Sequence, residues 1–219
     1  AQVDFFAKAG YQATVPALPL YSMPLVATNV KNLTRFVKSF MDHMGYEKAF
    51  LVGNSLGGHI ALMMQKLYPD NVQGLILAGS SGLYESAMGN SYPRRGDRDY
   101  IAERIRDVFY VKEVATEELI DEIFATVNDR NKAIKTLAIS KSAIRHNMAN
   151  EIKEFNVPTC IVWGRQDEVT PPEVADKFKN LMPNSELYWI DECGHAAMME
   201  RPEEFNTIIQ KWLNKLLSN

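Results

Sequence analysis

Three short stretches carry side chains able to do chemistry together. They are Ser55 in VGNSLGGH (52–59), Asp167 in VPTCIVWGRQDEVTPP (157–172) and His195 in SELYWIDECGHAAMMERPEEF (185–205). A serine hydroxyl is a weak nucleophile until a base takes its proton. An imidazole base in turn needs a carboxylate to hold its tautomer and orientation. Ser, then Asp, then His is the chain order found where the serine rides a sharp strand-to-helix turn. That turn lifts the hydroxyl clear of the backbone. Gly53 and Gly57, two before and two after the serine, let strand and helix approach. The N–H of Leu56 then points into the site at a helix N-terminus, where negative charge is favoured, as one donor of an oxyanion hole.

Each residue also has a plainer reading. Ser55 fits an idle polar residue in a glycine-rich turn, and Asp167 fits a helix cap or a solvated turn with Glu168 as a competing acid. Asp191 and Glu192 are nearer to His195 in sequence, but they leave their strand ahead of the turn. His43 ends a helix, and His59 lies one turn below Ser55, where packing is expected. His146 fits a solvated helix face or a pocket lining. What favours the chemical reading is order and placement together: each of the three residues follows a strand, where open α/β sheets collect their sites. No HExxH, HxxEH or CxxC spacing occurs, so neither a metal nor a cofactor is expected.

The elements needed to position these residues follow from apolar periodicity. Short runs at 11–15, 48–54, 72–80, 157–164 and 185–191 read as strands. Val30, Leu33, Phe36, Val37, Phe40, Met41 and Met44 recur at three- and four-residue steps, which predicts a helix over 28–45 closed by Gly45. Further helices are predicted over 57–69, from 171 and from 202 to 217. Apolar strands alternating with helices imply an α/β fold, a mostly parallel sheet covered on both faces. Between 82 and 155 the rhythm breaks. A polar loop, YESAMGNSYPRRGDRDY, leads into helical patterns at 98–110, 116–127 and 130–149. The organisation predicted is a core of 1–81 and 156–219 with a helical cap inserted over 82–155.

Bulk properties set the limits. The 219 residues carry a formal net charge of −3 and 46% hydrophobic side chains, enough for one sizeable core. That balance leaves no electrostatic footprint for nucleic acid. No apolar run approaches the ~18 residues of a membrane span, and the opening AQVDFFAKAG carries no signal-peptide pattern. Cys160 and Cys193 are too few for a disulfide framework, which favours a reducing, cytoplasmic setting. The partner expected is a small-molecule substrate. Arg94 and Arg95 are placed to attract an acidic one, or simply to sit in solvent. The oligomeric state is not legible.

On GNSLGGHIAL, WGRQDEVTPP and CGHAAMMERPEEF the sequence resembles the α/β-hydrolase superfamily over nearly its whole length. Serine esterases and the hydrolases that cleave carbon–carbon bonds of meta-ring-fission products are the nearest in pattern. The latter often carry GNSxGG and WGRxDxxxP, but frequently have tryptophan where Ala196 follows the histidine here. Ser55 argues against the members that use an aspartate nucleophile. The resemblance implies a Ser55–Asp167–His195 triad cleaving a small carboxylic ester through an acyl-enzyme. The alternatives are a carbon–carbon hydrolase and a catalytically incomplete or purely binding scaffold. Family members also begin with about three strands and an HG loop that donates the second oxyanion N–H. This sequence has no His-Gly pair before the elbow and opens in the helix after that loop. Two expectations follow. Either an N-terminal part precedes this sequence, or the strands at 11–15 and 48–53 pair directly. An edge left uncovered would be a template for pairing between chains.

Overall fold

The computed structural model describes residues 1–84 and 94–218. Its centre is a sheet of four strands, all parallel, in the order β1-β2-β3-β4. These are β1 (Ala49–Asn54), β2 (Val72–Ala78), β3 (Thr159–Gly164) and β4 (Ser185–Ile190). Parallel neighbours need crossovers. α3 (Leu56–Leu67) links β1 to β2, and α7 (Pro172–Leu181) links β3 to β4. Side chains of a strand alternate between faces, and both faces are apolar here. Leu75, Leu77, Ile161 and Trp163 join the core beneath α2 (Val30–His43), α3 and α7. Ile76, Ala78, Cys160 and Val162 face the opposite core, formed with Phe6 of α1 (Gln2–Lys8) and with Phe205, Ile209, Trp212 and Leu213 of α9 (Pro202–Leu217). That double burial is why β2 and β3 read as continuous apolar runs.

Two strand expectations need correction. Residues 11–15 form no strand. No ladder reaches them, and Pro16 and Pro19, which lack N–H donors, follow at once. Gln12 and Thr14 instead meet the Tyr46 hydroxyl at 2.9 and 3.0 Å. The direct pairing of 11–15 with 48–53 therefore does not occur. β1, expected as a fully buried strand, is an edge of the sheet, and Val52 in its middle is 55% exposed.

Between β2 and β3 the described residues hold α4 (Arg98–Arg106), α5 (Glu117–Asn128), α6 (Arg130–Arg145) and no strand. The polar stretch 84–100 lies partly outside the described residues, at 85–93. Asp97, Thr116 and Asp129 cap the three helices by accepting from backbone N–H groups of the first turn. α4 and α5 share their own apolar cluster, with Ile101, Ile105, Phe109 and Ile120 at its centre. α6 behaves differently. Ile139 and Ala143 join the main core, and the buried Ser142 hydroxyl accepts from Val30 N–H at 3.0 Å. α4 and α6 each end four residues short of their sequence patterns, because the turns after them continue the apolar periodicity without the helix, whereas α5 keeps its expected length and starts one residue later.

Candidate active site

The elbow forms where β1 ends. Ser55 has φ 51° and ψ −117°, a left-handed conformation that a non-glycine residue adopts at a cost of ~1–3 kcal/mol. Contacts on both sides hold it there. Ser55 N–H donates to Ala78 O at 3.1 Å, and its carbonyl accepts from His59 N–H and Ser81 N–H. Close packing explains one of the expected glycines. A Cβ on Gly53 would lie 2.3 Å from the carbonyl group of Gly57 and 2.4 Å from Gly58 N. Gly57 itself has nothing within 4 Å of that position. The second tight glycine is Gly58, whose Cβ would fall 2.2 Å from Ser80 Oγ. The steric demand expected at Gly57 therefore sits one residue later. Leu56 opens α3, and the first N–H groups of a helix have no intrahelical acceptor.

Asp167 and His195 meet. His195 Nδ1 lies 2.9 Å from Asp167 Oδ2, and both side chains are buried. Asp167 also accepts from Val169 and Thr170 N–H at 2.9 Å each and from the Thr170 hydroxyl at 2.7 Å, which fixes its rotamer. Glu168 next to it is exposed. Asp191 pairs with Arg165 at 2.7 Å and Glu192 with Arg201 at 3.2 Å, both outside the site. The chain turns at Glu192, φ 49°, and this sends those two carboxylates outward before His195 turns in.

The loop that carries His195 is stitched from several sides. The Asn54 amide, one residue before Ser55, donates to His195 O at 2.9 Å and to Ala78 O at 3.0 Å. His195 N–H donates to Val108 O at 3.0 Å. Gly79, φ 46°, leaves just enough room beneath the pair. A Cβ there would stand 2.9 Å from His195 Nδ1 and 3.1 Å from Asp167 Oδ2. At Gly164 a Cβ would come within 2.1 Å of Gly194 O. Ser55 reaches the same end of the sheet, but no hydrogen bond joins its hydroxyl to His195 among the described residues. Such contacts are often long without substrate and tighten only when it is bound.

The other sequence candidates fall elsewhere. His59 is buried under the elbow helix with Nε2 2.9 Å from His146 O. Burial pushes its pKa down to about 4, against the opposing effect of that hydrogen bond. It is held neutral, as a packing histidine. His146 caps the end of α6 through Ser142 O at 2.8 Å. Arg94 lies over the Tyr100 ring on the surface. Cys160 and Cys193 are free and buried, and burial pushes Cys193 up to about 12, so neither is a nucleophile. No helix among the described residues is long and apolar enough to cross a membrane. A cavity of about 270 Å³, lined by Leu83, Tyr84, Pro171 and Val174, borders the Asp167 loop and includes none of the three candidate residues.

Three features were not legible in the sequence: Gly79 under the Asp–His pair, Gly58 in the elbow, and Glu200. Glu200 ends the apolar run AAMM after His195, but Glu203 and Glu204 follow close behind, and nothing in that pattern sets it apart from them.

Comparisons with known proteins agree with the fold. A family model described as serine aminopeptidase, S33, matches residues 21–202. The 2-hydroxy-6-oxononadienedioate/2-hydroxy-6-oxononatrienedioate hydrolase of Pseudomonas sp is 30% identical over 227 residues, spanning 96% of this chain and 80% of its own. An α/β hydrolase enzyme from the metagenome of sediments from the lagoon of Mar Chica, Morocco, superposes with TM-score 0.80 at 48% identity, covering 97% of this chain and 82% of its own. The meta-cleavage product hydrolase of Pseudomonas fluorescens IP01 shares the fold at TM-score 0.73 and 20% identity, over 86% of this chain and 72% of its own.

Proposed function

We infer function from one premise: this chain belongs to the α/β-hydrolase family whose model is described as serine aminopeptidase, S33, and it is a hydrolase of that fold. The reading favoured is hydrolysis of a carbon–carbon bond in a meta-ring-fission product, a vinylogous diketone acid. It is supported by the 30% identity to a dienedioate hydrolase across 96% of the chain. Ser55, Asp167 and His195 are its catalytic residues. The single structural observation that carries the mechanism is the 2.9 Å hydrogen bond between buried Asp167 and His195, on a loop tied to the residue before Ser55.

Hydrolysis of a carbon–carbon bond needs a leaving carbanion that can be stabilised. A vinylogous diketone supplies it, since the electron pair released on cleavage delocalises into the conjugated ketone. His195 takes a proton from Ser55, the serine oxygen adds to the terminal ketone, and Leu56 N–H helps hold the oxyanion. His195, held in one tautomer by Asp167, then returns the proton to the leaving carbon, and a water activated by His195 hydrolyses the ester left on Ser55, releasing the acid and restoring the serine hydroxyl. The substrate lies between the carboxyl end of the sheet and helices α4, α5 and α6, which act as a lid.

Cleavage of a small carboxylic ester through an acyl-enzyme by the same three residues is the second reading. Ala196 favours it, because it is buried in the α4–α5 cluster where ring-fission hydrolases frequently carry tryptophan. Steady-state assays separate the two. The expected result is a kcat/KM on a 2-hydroxy-6-oxo-dienoate, followed by loss of its dienone absorbance, at least tenfold above that on p-nitrophenyl acetate. The reverse ratio makes the chain an esterase.

A further inference from the structure

Glu200 lies outside the proposed catalytic set, yet it is a carboxylate only 7% exposed. Its Oε2 accepts from Tyr110 N–H at 2.8 Å and Val111 N–H at 3.1 Å. Both of its oxygens accept from Gly194 N–H, at 3.0 and 3.1 Å. Every one of these partners is a backbone donor, and no cation pairs with it among the described residues. Burying a carboxylate is costly unless hydrogen bonds satisfy it, and three N–H groups do so here.

The donors come from two places only. Gly194 immediately precedes His195. Tyr110 and Val111 follow α4 in the helical segment. The same two places are joined again by His195 N–H to Val108 O, and a third time by Ala196 packing among Ile101, Ile105 and Phe109. There is no slack between them. A Cβ on Gly194 would stand 2.8 Å from both Tyr110 N and Val108 O. On its other side the loop touches the core through Asn54, Gly79 and Gly164. The backbone of His195 is thus clamped between sheet and helical segment, and among the described residues Glu200 is the only side chain that bonds both the residue before His195 and the 108–111 segment.

We propose that Glu200 is a positioning residue for His195: it fixes the Gly194–His195 peptide against Tyr110–Val111, so the imidazole's aim depends on where the helical segment sits. Movement of residues 108–111 loosens the base, and a substrate that presses the segment into place tightens it. The inference rests on the reading of Ser55, Asp167 and His195 as the catalytic set.

The test uses the native chain with Glu200→Ala, Glu200→Gln and Val111→Pro. Fluorophosphonate labelling rate is read by intact mass, p-nitrophenyl acetate supplies kcat and KM, and circular dichroism checks the fold. Glu200→Ala is expected to label at least tenfold more slowly, with kcat falling and KM within twofold. Glu200→Gln keeps an acceptor oxygen for the three N–H groups and is expected to stay within threefold of native. Val111 has φ −81°, which proline accepts, so Val111→Pro deletes one donor without touching the carboxylate and is expected to label at least threefold more slowly. It decides the matter if Glu200→Ala does not fold. Native-rate labelling by either folded variant overturns the proposal, as does a Glu200→Gln as slow as Glu200→Ala. Amide exchange over 193–196 needs no catalysis. It is expected to rise at least tenfold in Glu200→Ala, or in Val111→Pro should that variant have to stand in, and unchanged exchange overturns the clamp. A native chain that never labels, with exchange responding as expected, condemns the serine-hydrolase reading and leaves the clamp standing.

Discussion

At the elbow, almost every contact that shapes Ser55 is local. Gly53 lies against Gly57 and Gly58, His59 N–H reaches back to Ser55 O, and only the end of β2 adds distant support. The loop bearing His195 is the opposite. Asp167, Val108, Asn54, Gly79 and Gly164 hold it, each from another element. One half of the site is set by steric exclusion along a few residues, the other by long-range hydrogen bonds. The difference predicts two kinds of fragility. The elbow should fail by unfolding when crowded, and the loop should fail by losing aim while the fold survives.

Chemistry gives the largest expected contrast. Ser55→Ala is expected to lower kcat by about 10⁶, and Asp167→Asn by about 10⁴, with melting curves close to native, following the general behaviour of such triads. Equal losses, or an Asp167→Asn that unfolds, would break the distinction between nucleophile and aimed base. Stability comes next. Gly53→Ala drives a Cβ into backbone that cannot yield, so urea unfolding should show a loss of more than about 3 kcal/mol.

Acid tests the ground beneath the elbow. His59 has its pKa pushed down to about 4 in the fold, chiefly by burial, whereas the unfolded chain takes up that proton near 6.5. The unfolded state binds more protons between those values, so stability falls as pH drops from about 6.5 to 4. The full effect is about 3 kcal/mol. Urea midpoints at pH 7 and 4.5 should therefore differ less in His59→Gln than in the native chain. Smallest of all is Gly57→Ala. With open space at its Cβ and a helical position, it should shift stability by no more than about 1 kcal/mol. A cost like that of Gly53→Ala would mean the elbow's two flanking glycines share one role after all.

These contrasts also explain what could be read beforehand. The order of Ser55, Asp167 and His195 and the strands that deliver them follow from apolar runs and turn residues, because burial on both faces of a parallel sheet leaves that trace. The helix from about Pro202 to Leu217 was legible from its helical apolar period and from the proline at its start. What escaped was set by partners far along the chain. The 11–15 run has strand composition but no neighbour to pair with. The exposed Val52 marks β1 as an edge, which composition alone does not reveal. Glu200 looked like any acid ahead of a helix until the fold brought Tyr110 and Gly194 to it.

The order β1-β2-β3-β4 has a consequence in time. The crossovers 55–71 and 165–184 are short, so each pair of strands with its helix can close early as a local unit. The join between β2 and β3 must wait for residues 79–158 to loop back, a span roughly fourfold longer, which adds about 1 kcal/mol of closure entropy to that step. The slowest event in folding is then the meeting of two preformed halves along a single seam. Ser55 travels on one half, and Asp167 and His195 on the other.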